Sequence, residues 1–309
     1  MKKILLLSFC LMSLVALAQK KQVCFTYDDL PFVGYGLVDS VEQHKLSEKL
    51  IESLKQNRIP AIGFVNESKL YNSGVEIPHQ VRMLQLWPSN GLELGNHTFS
   101  HPDYNKLNYV AFTEEIIKGE KVTKRLLSEK GMTIRYFRHP FLHTGDTKFK
   151  SDSLTNFLTA RGYTVAPVTI DNDDYLFALA YARASSKKDE KLMMQIGADY
   201  VAYMEKKLLY FERQSTNLFG RNISHVLLLH SSKLNADYTD ALAKMFIKNG
   251  YDFVSLSEAM KDSAYTSAIS VFGKWGISWI DRWALSAGKK NDFFKEDPAT
   301  PTYIADLAR

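Results

Sequence analysis

The pair His97 and His101, separated by three residues, is the strongest metal-binding pattern in the sequence. Two imidazoles and one carboxylate form the three-ligand set that catalytic zinc sites use, and this set leaves one coordination position open for water. Pro102 disfavours helical backbone at His101, so the pair is predicted to lie on a turn. The pattern is weak by itself in a chain with eight histidines, and other residues must support it.

Two adjacent aspartates, Asp28 and Asp29, follow a short apolar run and could supply the carboxylate. Neighbouring side chains of an extended chain point to opposite sides, so the pair is predicted to perform two tasks. One aspartate would bind the metal and the other would lie beside the bound water. A solvated loop or a helix cap is the alternative for this pair. Arg138 and His230 also follow apolar runs, and each could instead be an ordinary surface or strand-end residue.

Segments typical of strands and helices alternate through most of the chain. Leu46, Leu50 and Leu54, for example, recur every four residues on one face of a predicted helix. The predicted strands are 22–27, 61–65, 92–95, 134–137, 163–170, 225–229 and 252–256, and the predicted helices are 39–57, 80–86, 113–130, 151–161, 191–213 and 239–249. This alternation predicts a parallel sheet, and about seven strand–helix units favour a barrel over an open sheet.

Residues capable of chemistry stand at the ends of several predicted strands. In a parallel barrel the carboxyl ends of all strands open on one rim, where residues distant in sequence can converge. We therefore expect one site to contain the residues that follow the strands, namely Asp28, Asp29, His97, His101, Arg138, Asp171, Asp174 and His230.

Five segments, taken in order, resemble the five motifs of the NodB-homology polysaccharide deacetylases, carbohydrate esterase family four. The segments are Thr26-Tyr27-Asp28-Asp29, His97-Thr98-Phe99-Ser100-His101, Arg138-His139-Pro140-Phe141, Asp171-Asn172-Asp173-Asp174-Tyr175 and Leu228-Leu229-His230. The likeness covers about residues 21–256. It implies a distorted (β/α) barrel with about seven parallel strands and a metal-dependent hydrolase that removes acetyl groups from glycans.

The resemblance also implies a role for each residue of the site. Asp29, His97 and His101 would hold a divalent metal, with Zn2+ favoured and Co2+, Ni2+ or Mn2+ as alternatives. Asp28 would be the general base and His230 the general acid. The remaining roles are Arg138 to position Asp28, Asp174 as the charge partner of His230, and Phe141, Tyr175 and Leu228 to line the acetyl pocket.

Two points within these motifs stay open. The alignment favours Asp174 as the partner of His230, but Asp171 and Asp173 are neighbouring candidates. Tyr27 and Tyr175 stand where the family usually has phenylalanine and tryptophan. A buried tyrosine hydroxyl needs a hydrogen-bond partner, so the acyl preference is not determined by the motifs.

The first 18 residues predict a signal peptide, because Lys2 and Lys3 precede an apolar run that ends in Ala16-Leu17-Ala18. Cleavage would leave Cys24 as the one cysteine of the mature chain, which excludes an intramolecular disulfide. We therefore expect export to the periplasm or the extracellular space, with no stable membrane span after cleavage.

Beyond the signal peptide we expect two regions. Residues 19–260 would form the catalytic domain, with a helical insertion at about 176–222 that either packs on the core or covers the substrate groove. Residues 261–309 would form an aromatic-rich extension packed on the barrel. Its Trp275, Trp279 and Trp283 share one face of a predicted helix, where they either pack against the barrel or stack on sugar rings.

Composition narrows the function further. The 309 residues carry a formal net charge of +5 without a basic run, which gives no footprint for nucleic acid. The predicted function is removal of N-acetyl groups from N-acetylglucosamine-containing glycans such as peptidoglycan or chitin. Hydrolysis of O-acetyl esters as in acetylxylan, hydrolysis of a small amide and non-catalytic glycan binding remain alternatives, and the oligomeric state is not predicted.

Overall fold

A curled sheet of seven parallel strands forms the centre of the protein. The computed structural model describes residues 20–309, and the predicted signal peptide at 1–18 lies outside the described residues. The strand order is β7-β6-β5-β2-β1-β8, with β9 also beside β1, while β3 and β4 form a separate hairpin. The strands are β1 Lys21–Val33, β2 Ile62–Val65, β3 Tyr71–Asn72, β4 Val75–Glu76, β5 Glu93–Asn96, β6 Tyr136–Phe137, β7 Thr164–Val165, β8 His225–Ser232 and β9 Tyr251–Phe253.

Helices connect these strands. They are α1 Ser40–Gln56, α2 Pro78–Ser89, α3 Tyr109–Lys118, α4 Lys121–Ser128, α5 Lys148–Ala160, α6 Asp174–Ser186, α7 Glu190–Phe219, α8 Lys233–Lys248, α9 Leu256–Ala259, α10 Trp279–Ser286 and α11 Thr302–Leu307. Side-chain hydrogen bonds to the first turn mark where several of these helices begin. Asp39, for instance, begins α1 by accepting hydrogen bonds from two backbone N–H groups of the first turn.

The predicted strand 163–170 is split in the structure, and the split curls the sheet towards closure. Ala166 N–H donates to the carbonyl of Phe137 in β6 (2.8 Å), whereas Ile170 N–H donates to the carbonyl of Val226 in β8 (3.0 Å). The run between them contains Pro167, which has no N–H for a sheet hydrogen bond. One short segment thus joins the two ends of the strand order. The predicted distorted barrel with about seven parallel strands is confirmed, in the form of a curled half-barrel.

The predicted helix 113–130 is two helices, α3 and α4, that meet at Gly119. Gly119 packs against the loop that carries His97 and His101, and a Cβ atom there would lie 2.4 Å from the carbonyl carbon of Thr98. The predicted strand 252–256 is also shorter than expected. It ends at Phe253, and Ser255 begins α9 by accepting a hydrogen bond from Glu258 N–H (3.2 Å).

The region 176–222 contributes to the core of the described structure. It contains most of α6 and all of the helix that follows, α7. Ile196, Tyr200, Met204 and Leu208 of α7 recur every four residues and are fully buried. They belong to the same apolar cluster as the inward side chains of β1 and β8. Most of the stability of α7 therefore comes from burial of this apolar stripe rather than from its helix propensity.

The three tryptophans of the C-terminal region do not share one helical face, so that prediction is wrong. Ser278 caps α10 by accepting a hydrogen bond from Asp281 N–H (3.1 Å), and the helix therefore begins at Trp279. Trp279 and Trp283 are buried, whereas Trp275 precedes the helix and is 42% exposed. Among residues 20–309, none of the helices combines the length and the apolar character needed to cross a bilayer.

We expect Gly119→Ala to lower the free energy of unfolding by about 1–3 kcal/mol, because the added methyl group would overlap the Thr98–Phe99 backbone. Denaturant unfolding measures this change. The control is Glu114→Ala, an exposed position on α3 where we expect a change within about 0.5 kcal/mol. Equal stability of Gly119→Ala and the wild type would contradict the close approach.

Candidate active site

Asp28 and Asp29 lie in the second half of β1, where the pairing of this strand with its neighbours is irregular. The register with β2 shifts after Tyr27, and Asp29 has a left-handed backbone with φ of 64°. As a result both carboxylates approach the same imidazole: Oδ2 of Asp28 is 3.8 Å and Oδ1 of Asp29 is 3.6 Å from Nε2 of His97. The expectation that the two side chains point to opposite sides is wrong, because the strand is not regular here.

Asp29, His97 and His101 bring three metal-ligand atoms together. Each offers an atom within 4.8 Å of the others, and Nε2 of His101 is 3.6 Å from Oδ1 of Asp29. That carboxylate oxygen is buried and accepts no hydrogen bond from the described residues. A buried carboxylate oxygen without a donor is costly, and a cation shared with the two imidazoles would satisfy it. The donor set therefore fits a divalent metal.

The loop of His97 and His101 is held in a strained conformation by its neighbours. Thr98 and His101 have φ of 68° and 59°, a left-handed region that few residues other than glycine adopt. Asn96 at the end of β5 accepts a hydrogen bond from Thr98 N–H (2.7 Å), and Thr98 Oγ1 accepts one from His101 N–H (3.1 Å). Such strain persists where the surrounding structure enforces it, and it is common at functional sites.

Burial controls the protonation of the ligand set. It lowers the pKa of His97 and of His101 to about 4, so both imidazoles are neutral at pH 7, the form that binds metal. Burial alone would raise the pKa of Asp29, but Lys69 and the nearby histidines hold it below its usual range. Lys69 also donates to the backbone carbonyl of Asp29 (2.6 Å). No sequence motif pointed to Lys69, because only the tertiary structure brings it close to Asp29.

Arg138 holds Asp28 in place. The guanidinium is fully buried, and its Nη1 donates to both carboxylate oxygens of Asp28 at 3.2 Å. Its other nitrogens donate to Thr26 Oγ1 (3.0 Å) and to the Ala166 carbonyl (3.0 Å). Burial raises the pKa of Asp28, and the charge of Arg138 opposes that rise. Asp28 is thus an oriented carboxylate with an increased affinity for a proton.

His230 forms a pair with Asp174. Its Nδ1 lies 2.6 Å from Oδ1 of Asp174, and its backbone N–H donates to Oδ2 of the same carboxylate (2.8 Å). Burial lowers the pKa of His230, but the Asp174 carboxylate outweighs burial and raises it to about 9. Asp173 instead accepts a hydrogen bond from Thr300 (2.7 Å). Burial raises the pKa of Asp171 to about 7, and its carboxylate accepts only the adjacent Asn172 N–H among the described residues.

These groups open into one cleft with a volume of about 570 Å³. Phe141 and Tyr175 are about half exposed at its walls, and Leu228 is nearly buried. Of the predicted site residues, those lining the cleft are Asp28, Asp29, His97, His101, Phe141, Asp171, Tyr175, Leu228 and His230. Arg138 and Asp174 lie behind them, in contact with Asp28 and His230. The structure therefore brings all the predicted residues together.

Sequence reasoning missed several other residues of the cleft. Tyr35 lines it and donates from its hydroxyl to the carbonyl of Tyr175 (3.0 Å). His143 and Gly276 also line it, and Gly276 belongs to the C-terminal region. The one signal in the sequence that could have pointed to His143 is its position two residues after the third motif.

We expect the imidazole of His230 in the metal-free protein to titrate near pH 9, and at a lower pH in Asp174→Asn, because only Asp29 and Asp28 then oppose the effect of burial on its pKa. NMR of the imidazole resonances measures both values. The raised pKa also means that the pair stabilises the fold fully below about pH 6.5 and loses this effect as the pH rises through about 9.

The matched control is Asp173→Asn, whose carboxylate contacts Thr300 and not His230. This variant should leave the His230 titration near pH 9. An unchanged titration in Asp174→Asn would show that Asp174 does not hold the proton on His230.

Comparison with known proteins supports the resemblance to polysaccharide deacetylases. A family model described as polysaccharide deacetylase matches residues 17–160. The chain is 28% identical over 153 residues to a chitin deacetylase from Colletotrichum lindemuthianum, covering 50% of this chain and 52% of that protein. It is 27% identical over 139 residues to a peptidoglycan-N-acetylglucosamine deacetylase from Bacillus cereus, covering 45% and 43%. The matched segments thus span about half the length of these relatives.

The fold is similar to that of a solved structure. BA3943 from Bacillus anthracis, described as a CE4 family pseudoenzyme, matches over 78% of this chain and 66% of that chain, with 15% identity and a TM-score of 0.51. At this identity the likeness concerns the fold alone. The sequence matches, the curled parallel sheet and the order of the motifs agree, and the resemblance of this chain to the polysaccharide deacetylases is confirmed.

Proposed function

We propose that the protein is an exported, divalent-metal-dependent deacetylase that removes N-acetyl groups from N-acetylglucosamine-containing glycans of the peptidoglycan or chitin type. One observation carries the proposal. The ligand atoms of Asp29, His97 and His101 lie in the same cleft as an oriented carboxylate, Asp28, and an imidazole with a raised pKa, His230. The names of the two curated relatives support the substrate class.

Asp29, His97 and His101 would hold the metal, and Zn2+ suits two neutral imidazoles and one carboxylate best. A divalent cation supplies two effects at such a site, since it polarises an acetyl carbonyl and lowers the pKa of nearby water. The Nδ1–H of His97 donates to the Arg138 carbonyl (2.8 Å), which leaves Nε2 facing Asp29. This outer contact fixes the ring for binding.

Asp28 is suited to accept the proton of the attacking water. Its carboxylate lies 3.8 Å from Nε2 of His97, and Asp28 is not one of the three residues whose ligand atoms converge. The contact with Arg138 keeps both oxygens oriented, and burial raises the pKa of Asp28 towards the range useful for a base.

His230 is suited to protonate the leaving nitrogen. A sugar amine leaves poorly as an anion, so its departure requires an acid. With a pKa of about 9 the imidazole carries its proton at neutral pH, and Asp174 occupies Nδ1, which leaves Nε2 to donate into the cleft. The alcohol of an ester leaves more easily without a proton. Hydrolysis of O-acetyl groups would therefore use the same site but depend less on His230.

Export follows from the predicted signal peptide at residues 1–18, and it would place the enzyme in the periplasm or outside the cell, where peptidoglycan and chitin occur. The apolar surface of Leu228, Tyr175 and Phe141 in the cleft is suited to contact an acetyl methyl group.

We expect the zinc-loaded protein to release acetate from chitin oligomers or peptidoglycan fragments faster than from acetylxylan. Asp28→Asn should lower kcat about 10²- to 10⁴-fold while the protein keeps one equivalent of zinc, because Asp28 is a base and not a ligand. The control Asp252→Asn, an exposed carboxylate, should keep full activity. Acetate release measures both.

Each outcome of that assay decides a different point. Full activity of Asp28→Asn would contradict its role as base. Faster release from acetylxylan would favour the esterase alternative, and release only from small amides would favour an amidase. No acetate from any glycan, amide or aryl acetate would favour a non-catalytic glycan-binding protein.

We expect His97→Ala to lose bound zinc, because two of the three ligand atoms cannot hold the ion alone. Elemental analysis after dialysis against a weak chelator measures the zinc content. His44→Ala, whose imidazole faces Glu48 on the surface of α1, should keep one equivalent. One equivalent in His97→Ala would contradict the assigned site.

A further inference from the structure

A second imidazole–carboxylate pair borders the cleft. Nδ1 of His143 lies 2.7 Å from Oδ1 of Asp103, and the two side chains are 18% and 13% exposed. His143 lines the cleft together with the metal ligands and His230. The pair consists of residues different from those of His230–Asp174, and the mechanism proposed above makes no use of it.

The pair is rigid. Asp103 also accepts a hydrogen bond from Asn105 N–H (2.9 Å), and His143 N–H donates to the carbonyl of Pro140 (3.0 Å). Because the carboxylate accepts the Nδ1–H of His143, the other ring nitrogen, Nε2, is the one available to a ligand. Within residues 20–309, no protein group makes a hydrogen bond to this Nε2.

The C-terminal region holds the turn that presents His143. Phe141 and Leu142, which precede His143, both have left-handed backbones, with φ of 55° and 54°. The buried Arg282 donates to the carbonyl of Leu142 (2.8 Å), and a Cβ atom at Gly276 would lie 1.9 Å from the Phe141 carbonyl oxygen. Two strained residues persist only when other contacts enforce them, and here those contacts come from another part of the chain.

Phe141 connects this pair to the metal ligands. Its ring centroid lies 4.4 Å from that of His101 and 5.7 Å from that of His143. An exposed aromatic face next to a polar group with an open hydrogen-bonding site is suited to a sugar ring, which has apolar faces and hydroxyl groups at its rim. A glycan with its acetyl group at His101 would extend over Phe141 to His143.

We propose that His143, oriented by Asp103, binds a hydroxyl group of the glycan beside the reacting acetyl group and so favours oligosaccharides over small acetyl compounds. The identity of this ligand rests on the proposed deacetylase function. The Nε2 atom accepts a hydrogen bond from the hydroxyl when the ring is neutral and donates one when the ring is protonated.

Steady-state kinetics of His143→Ala on a chitin tetramer and on an aryl acetate test the proposal. We expect kcat/KM to fall about tenfold more on the tetramer than on the aryl acetate, mainly through KM, because the small substrate does not reach His143. His143→Gln, which retains a hydrogen-bonding group, should recover part of the loss. His79→Ala, outside the cleft, is the matched control and should retain both activities.

Thermal unfolding and zinc content verify that the variants are folded and loaded. Equal losses on the two substrates would overturn the proposal, as would full activity of His143→Ala on the tetramer. If the wild type releases no acetate, the proposed function fails, and NMR of the His143 imidazole with added chitin tetramer decides the inference separately. A saturable shift supports it, and an unchanged resonance overturns it.

Discussion

The geometry of the site depends on the hydrogen bonds made by one buried residue, Arg138. Its side chain holds both oxygens of Asp28, and its backbone carbonyl accepts the Nδ1–H of His97. The residue that follows β6 therefore orients both the imidazole of His97, a proposed metal ligand, and the carboxylate of Asp28. A fully buried charge without partners would be strongly destabilising, so the hydrogen bonds to Asp28, Thr26 and Ala166 are also a condition for the stability of this arrangement.

The same cleft contains imidazoles in opposite protonation states. Burial lowers the pKa of His97 and His101 to about 4, whereas Asp174 raises that of His230 to about 9. The difference arises because the fully buried carboxylate of Asp174 accepts the Nδ1–H of His230, whereas the Nδ1–H of His97 meets an uncharged backbone carbonyl. Neutral His97 and His101 can thus coexist at one pH with a protonated His230, and the proposed division between metal ligands and general acid requires this difference.

Closure of the sheet places Asp174 beside His230. Ile170 pairs with Leu227, and Asn172 donates from its side chain to the carbonyl of Leu228 (2.7 Å). The chain leaving β7 therefore crosses to β8 before α6 begins at Asp174. The C-terminal region supports another part of the cleft, because Arg282 donates a hydrogen bond to the turn before His143.

The sequence by itself determined the alternation of strands and helices, the parallel sheet, and the set of strand-end residues that converge. These features follow from local periodicity and from the common direction of parallel strands. Only the tertiary structure decided that both aspartates approach His97, that Lys69 lies beside Asp29, and that His143 pairs with Asp103. The physical reason is that left-handed backbone at residues such as Asp29 is imposed by packing between segments far apart in the chain, which no local pattern records.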